Sequence, residues 1–275
     1  MARRLFSEIC PLTYAIAVEK MRMLRRINDL LSRNRFSYDK ESYLPIVVYK
    51  HKSMIRRILG DVDMQLQENK AVNLALAAKK VNGIVIKPGS LFSFWKLVGS
   101  CTKRKGYKEG LIISKGRASS GIGGGMCQFT NLIHWLVLHS PLEIKEHHHH
   151  DGLDMFPDYG RKVPFGCGTS IMYNYLDYRF MNNTTQDFQL VIYTTDTHLC
   201  GELRTTAPLE TSYHVLEEDA CFVKKEDAFY RQNTIYKQVV DMHTGNEISR
   251  EMIKKSNAKV LYDEKFIPVE KIRSS

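Results

Sequence analysis

Apolar positions along the chain follow two different periods. From Tyr14 to Leu31 they recur every three or four residues (Tyr14, Ala17, Met21, Leu24, Ile27, Leu31), with Arg22, Arg25, Arg26 and Asp29 between them. That spacing predicts an amphipathic helix, opened by Pro11 and closed near Asn34. The stretch from Gln65 to Val81 places Leu74, Ala78 and Val81 on one side and predicts a second helix, stopped by Asn82-Gly83. Phe129, Leu132, Ile133, Leu136 and Val137 predict a third, which has to stop before Pro141. Elsewhere the period is that of a strand. Strands are expected at residues 46–49, 84–86, 91–95, 142–146, 171–180 and 189–194, with turns at Pro88-Gly89 and Asn182-Asn183. Short β segments at 222–223, 234–240 and 259–262, with a hairpin turn near Gly245, give a β-rich tail.

No alternating βαβ series is present, so the expected class is α+β, with helices packed on a mainly antiparallel sheet around one main core. Three segments follow: a basic helical extension over 1–64, a core over 65–205, and a β-rich extension over 206–275 packed on that core.

Composition narrows the setting. The chain has 275 residues, enough for a sizeable core, and its hydrophobic runs all fall short of the 18 residues that a membrane-crossing helix needs. Met1–Phe6 is basic but is not followed by the apolar core and small-residue cleavage site of a secretory signal. The expectation is a cytoplasmic protein, peripheral at the inner membrane face. The net charge of +10 is concentrated in front, where residues 1–60 carry 13 Lys/Arg against 5 Asp/Glu. A basic front end points to an anionic partner. Its aromatic residues lack the spacing of a nucleic-acid motif, which leaves an anionic membrane surface as the partner of residues 1–60. Six cysteines without a CxxC pair exclude zinc-ribbon and thioredoxin-like readings.

The densest chemistry begins at Gly121. Gly121-Ile122-Gly123-Gly124-Gly125-Met126-Cys127-Gln128 runs directly into the third helix. Glycine permits positive φ and close backbone approach, so Cys127 is expected at a helix amino terminus, or one residue inside it. There the helix dipole lowers a thiol pKa, and unpaired backbone N–H groups can hold an oxyanion. A Walker loop would need GK[ST] after the last glycine, and Met126-Cys127-Gln128 does not supply it. The run His147–His150 follows; if the preceding strand continues, His148 and His150 share one face. Imidazole beside thiol is the minimum for nucleophilic catalysis. The same region offers a metal site as the alternative, with His148, His150, Asp154 and the Cys127 thiolate as ligands. Otherwise no cofactor is implied. Asp177, in a β-favouring run, either pairs with Arg179 or orients a histidine.

Several blocks in order resemble one family. Pro88-Gly89-Ser90-Leu91-Phe92-Ser93-Phe94-Trp95 resembles a PGxxFSFW signature, and Gly123-Gly124-Gly125-Met126-Cys127-Gln128 a GGGxCQ signature. Glu146–His150 followed by Phe156-Pro157-Asp158, then Pro164-Phe165-Gly166, Gly168-Thr169-Ser170, Asn174–Asp177 and Asn182-Asn183-Thr184, continue the match from about Gln65 to Arg204. The family is VanW-like, named for an accessory protein of some vancomycin-resistance gene clusters. The resemblance implies a role in glycopeptide resistance and cell-envelope maintenance. It departs from the family in its histidine segment, where His147 replaces the commoner Arg. His150, four residues after Glu146, is assigned as the matching imidazole, with His148 as its face-mate.

The order glycine loop, Cys, helix, strand, His, strand, Asp parallels transglutaminase- and papain-like cores. On that analogy Cys127 is a nucleophile, His150 (or His148) its base and Asp177 the orienting carboxylate. Gly123, Gly124, Gly125, Gln128 and Asn174 then form the substrate-binding set. The expected reaction is amide or acyl transfer on a peptidoglycan precursor or another envelope-related substrate. The competing reading is a ligand- or metal-binding module, or a membrane-surface scaffold.

Overall fold

Proline fixes the φ of a first helical residue, and helix α1 begins at Pro11, running Pro11–Leu31. The structure, a computed structural model, describes residues 5–57, 63–114, 117–149, 152–158 and 160–273. Strands β1 (Arg35–Phe36) and β2 (Ile46–Met54) follow. Asp63 accepts the Gln65 N–H to cap α2 (Met64–Val81), which ends at Asn82. Next come β3 (Ile84–Ile86), β4 (Ser90–Ser93), α3 (Phe94–Val98), the hairpin β5 (Glu109–Ser114) and β6 (Arg117–Ile122), α4 (Met126–Leu138), β7 (Glu143–Glu146) and β8 (Leu153–Asp154). The last third is strand: β9 (Arg179–Met181), β10 (Phe188–Thr194), β11 (His198–Thr205), β12 (Thr211–Lys225), β13 (Ala228–Asp241), β14 (Glu247–Val260) and β15 (Ile272–Arg273).

These strands form three sheets and the β5–β6 hairpin. One sheet has the order β1-β4-β9-β7, a second β2-β11-β10-β3, and a third β15-β12-β13-β14-β8. The fold is α+β and its long pairings are antiparallel. Helix α4 lies at the centre. Phe129, Leu132, Ile133, Leu136 and Val137 are buried in the main core with Leu74, Phe92, Phe94, Tyr178 and Leu203. On another flank Trp135 and Leu138 join Cys167 and Ile235 in a second cluster that ties α4 to the third sheet.

Three expectations need correction. The run Leu91–Trp95 divides, because Ser93 accepts the Lys96 N–H and starts α3. Residues 171–180 form no long strand. Met172 and Leu176 close a tight turn with Asn174 at φ 49°, and only Arg179–Met181 is extended in a sheet. The strand expected to carry the histidines ends at Glu146, so His147–His149 do not alternate across a sheet.

Helix α1 is turned against the usual pattern. Asp29 is its one buried residue among those described, and Asp29, Arg22 and Arg25 are the residues that bond to the body. Arg179 holds Asp29 at 2.7 and 3.0 Å, Lys96 holds it at 3.1 Å, and Arg25 makes a two-pronged ion pair with Glu146. Leu12, Ile16, Met23, Ile27, Leu30 and Leu31 face solvent.

A thiol at the mouth of a helix, in a basic cavity

Gly125 is the N-cap of α4 at φ 107°, so Met126 is the first helical residue and Cys127 the second. The glycine loop is held from α2. The wholly buried Asn73 donates to the Lys108 and Gly124 carbonyls (both 2.9 Å) and accepts the Lys108 N–H at 2.8 Å. Glycine is required twice here. A Cβ on Gly124 would meet the Gly110 carbonyl carbon at 2.3 Å, and one on Gly125 would meet Lys70 Cγ at 2.5 Å.

Cys127 lies in the wall of a cavity of about 1730 Å³ that also takes in Gly123–Gln128, His51, Trp95 and the segment 170–173. The Cys127 carbonyl accepts the hydroxyls of Thr130 (3.2 Å) and Thr169 (3.4 Å). Asn131 Oδ1 fixes the covering loop by accepting Thr169 N at 2.6 Å and Thr169 Oγ1 at 2.8 Å. Burial pushes the thiol above its ordinary value, against the lowering effect of the Ile171 N–H. The lowering expected from the helix terminus is therefore overturned, because desolvation outweighs it.

The other expected site residues are placed as follows. Gln128 donates to Ser53 Oγ (2.9 Å) and to the Met54 carbonyl (2.8 Å), which ties α4 to β2. Asn174 donates to the Arg22 carbonyl at 3.2 Å and anchors α1. His148 Nε2 lies 2.9 Å from Glu146 Oε1. His147 Nε2 meets the Gly168 carbonyl at 3.0 Å, and its ring lies between those of His134 and His149, tilted to both. Asp177 accepts from Ser93 Oγ, Trp95 N, Tyr178 N and Arg179 Nε (2.5, 3.1, 2.9 and 2.8 Å). It is the anchor of an ion pair and orients no imidazole among the described residues. Asp154 accepts from Tyr262 (2.9 Å) and Arg231 (3.4 Å) and so belongs to the third sheet. His150 lies outside the described residues. Among the described residues no three His, Cys, Asp or Glu side chains converge as a metal site would require.

Sequence reasoning missed Lys70 and Asn73. Their signal was present: a lysine and an asparagine stand on the same helical face as Leu74, Ala77, Ala78 and Val81, where apolar residues belong.

A family model described as "VanW like protein" matches residues 69–204. Vancomycin B-type resistance protein VanW of Enterococcus faecalis (strain ATCC 700802 / V583) is 30% identical over 222 residues, 81% of this chain and 80% of that protein. The chain belongs to the VanW-like family. A second relative, the uncharacterized protein YoaR of Bacillus subtilis (strain 168), is 33% identical over 122 residues, 43% of this chain and 37% of YoaR. No solved structure matches the chain. The family-model match contains Lys70, Asn73, the glycine loop, Cys127 and the histidine run; α1 and the long strands β12–β14 lie outside that model, while the match to the E. faecalis protein extends beyond it.

Proposed function

We propose that this VanW-like protein is a thiol enzyme of amide or acyl transfer, acting on a peptidoglycan precursor or related envelope substrate. In this reading Cys127 is the attacking sulfur and His150 its base. The observation that carries the proposal is the position of Cys127 at the second residue of α4, behind a glycine loop and in the wall of the large cavity. The name of the E. faecalis relative records vancomycin resistance, which directs the choice of substrate toward the envelope.

The chemistry runs in two steps. The sulfur attacks a substrate carbonyl, and the N–H groups of the first turn of α4, which lack partners within the helix, receive the developing oxyanion. The thiol proton passes by way of the base to the leaving amine, and a thioester remains. Water or a second amine then attacks the thioester and returns the proton to sulfur. Burial raises the thiol, so the base has to take its proton as the sulfur attacks. His150 is assigned as base by its offset of four from Glu146, the position that the family resemblance matches, with His148 as its alternative.

The test is complementation of a deletion strain together with mass spectrometry of the protein after exposure to cell-wall precursors. Wild type is expected to gain the mass of an acyl group on Cys127, and Cys127→Ala to lose both the adduct and complementation. Full complementation by Cys127→Ala overturns the catalytic reading. It would favour a ligand-binding module in the same cavity, a reading that the raised thiol value also supports.

The outward apolar face of α1 supports a second part of the proposal, that the protein works at an anionic membrane surface. Lys20, Arg26 and Arg33 are exposed beside that face and complement lipid phosphate, while apolar side chains enter the interface.

A further inference from the structure

We infer that the cavity holds its substrate by an oxyanionic group, a carboxylate or a phosphate ester, seated between Lys70, Arg57 and the first-turn amides of α4. This rests on the cavity being the substrate site, but not on Cys127 being a nucleophile.

Lys70 is 6% exposed and projects from the inward face of α2, with its stem laid against Gly125. Lys70 has no acidic partner among the described residues. Neither has Arg57, half-buried on the same wall. Such groups are costly to bury unless an anion compensates them. The cost is raised by crowding: Arg57 feels Arg161, and Lys70 feels Arg57 and Arg56. Burial foremost, then these neighbours, brings the Lys70 ammonium down to about 8. Eight Lys/Arg side chains border the cavity against one carboxylate, Glu202, and that one is bonded to Arg204 at 2.8 Å. Arg22, Arg56 and Arg161 pair with Glu19, Glu68 and Asp158, which leaves Lys50, Lys52, Arg57, Lys70 and Lys162 without an ion pair among the described residues.

The amino end of α4 adds to this field. Its N–H groups and dipole favour a negative group at the same end of the cavity. The loop lacks the lysine that follows the glycines of a phosphate-binding motif. Here α2 provides one from more than 50 residues upstream, lying directly on the N-cap glycine. With Cys127 two residues beyond that glycine, the bound anion lies next to the thiol.

The experiment measures binding of inorganic phosphate and of N-acetylalanine by titration calorimetry. The proteins are the full chain, Lys70→Met, Arg57→Gln and Lys265→Met, each checked for an unchanged circular dichroism spectrum. Saturable binding of at least one probe is expected. Its affinity should fall roughly tenfold or more in Lys70→Met and in the same direction in Arg57→Gln, which covers the case in which Lys70→Met does not fold. Lys265→Met, exposed and away from the cavity, should bind as wild type does; binding is read apart from any adduct on Cys127, so a chain that binds a probe but forms no adduct keeps this inference while the catalytic reading fails. Tighter binding of phosphate identifies a phosphate ester as the source, and tighter binding of N-acetylalanine a terminal carboxylate. Absence of saturable binding for both probes, or binding unchanged in both charge variants, overturns the inference.

Discussion

Gly125 meets two demands at once. Its φ of 107° is one that side-chain-bearing residues rarely adopt, and the space where a Cβ would sit is filled by the Lys70 stem. Gly125→Ala is therefore expected to cost about 1–3 kcal/mol in denaturant unfolding, from backbone strain of that kind. It should also displace Lys70 and weaken anion binding, whereas Gly245→Ala, positive in φ but open around its Cβ, should leave binding unchanged. Equal binding by Gly125→Ala would show that the lysine does not depend on this glycine for its placement. At the same scale, Cys127 was readable as a helix-terminal residue from four glycines before an apolar helical run. Its raised thiol value was not, because desolvation depends on the 168–171 loop, which returns from 40 residues further along the chain.

The elements were legible where local chemistry decides them. Pro11 starts α1, α2 begins one residue before the expected Gln65, and the glycine run starts α4 within a residue of the expected place. The stretch 171–180 was misread because its β-favouring side chains serve distant partners. Tyr173 and Tyr175 offer their carbonyls to Arg22 and Arg25 of α1, and Tyr178 is wholly buried beside His134. For α1, period alone could not say which face turns inward; the ion pairs with Asp29 and Arg25 decide it. A helix bound to the body by charge and apolar toward solvent should bind vesicles of phosphatidylglycerol and phosphatidylcholine in co-sedimentation. Ile16→Asp with Met23→Asp should abolish that binding without changing the thermal midpoint, since both residues are exposed. Retained binding in the double variant removes α1 from the membrane proposal.

Across the whole molecule, buried histidines set the response to acid. Burial holds His139 and His147 at about 4, and lowers His51 and, well below its ordinary value, His134. All four are lower than in an unfolded chain, so between about pH 6.5 and 4 the unfolded state binds more protons. Stability is full above that window and falls as the pH drops through it. Each well-buried ring contributes on the order of 2 kcal/mol to the fall. Thermal midpoints measured from pH 7.5 to 4.5 should show this slope. His139→Phe, which keeps a ring on Tyr49, should flatten it; an unchanged slope would assign the acid response to other groups. No sequence pattern announces these burials, because they arise where α4 meets β2, β7 and the third sheet.

That meeting also bears on where the protein can be cut. Strand β8, from within the stretch shared with VanW relatives, pairs with β14 at Lys259↔Leu153 and Val260↔Asp154, and Trp135 and Leu138 lean on Ile235. Residues 69–204 bound the family model and not a unit expected to fold alone. A chain ended after Arg204 would bare the flank of the helix that carries the thiol, and would leave Asp154 without Arg231 and Tyr262. The terminal sheet thus buttresses the helix that lines the cavity, and trimming it should collapse that cavity.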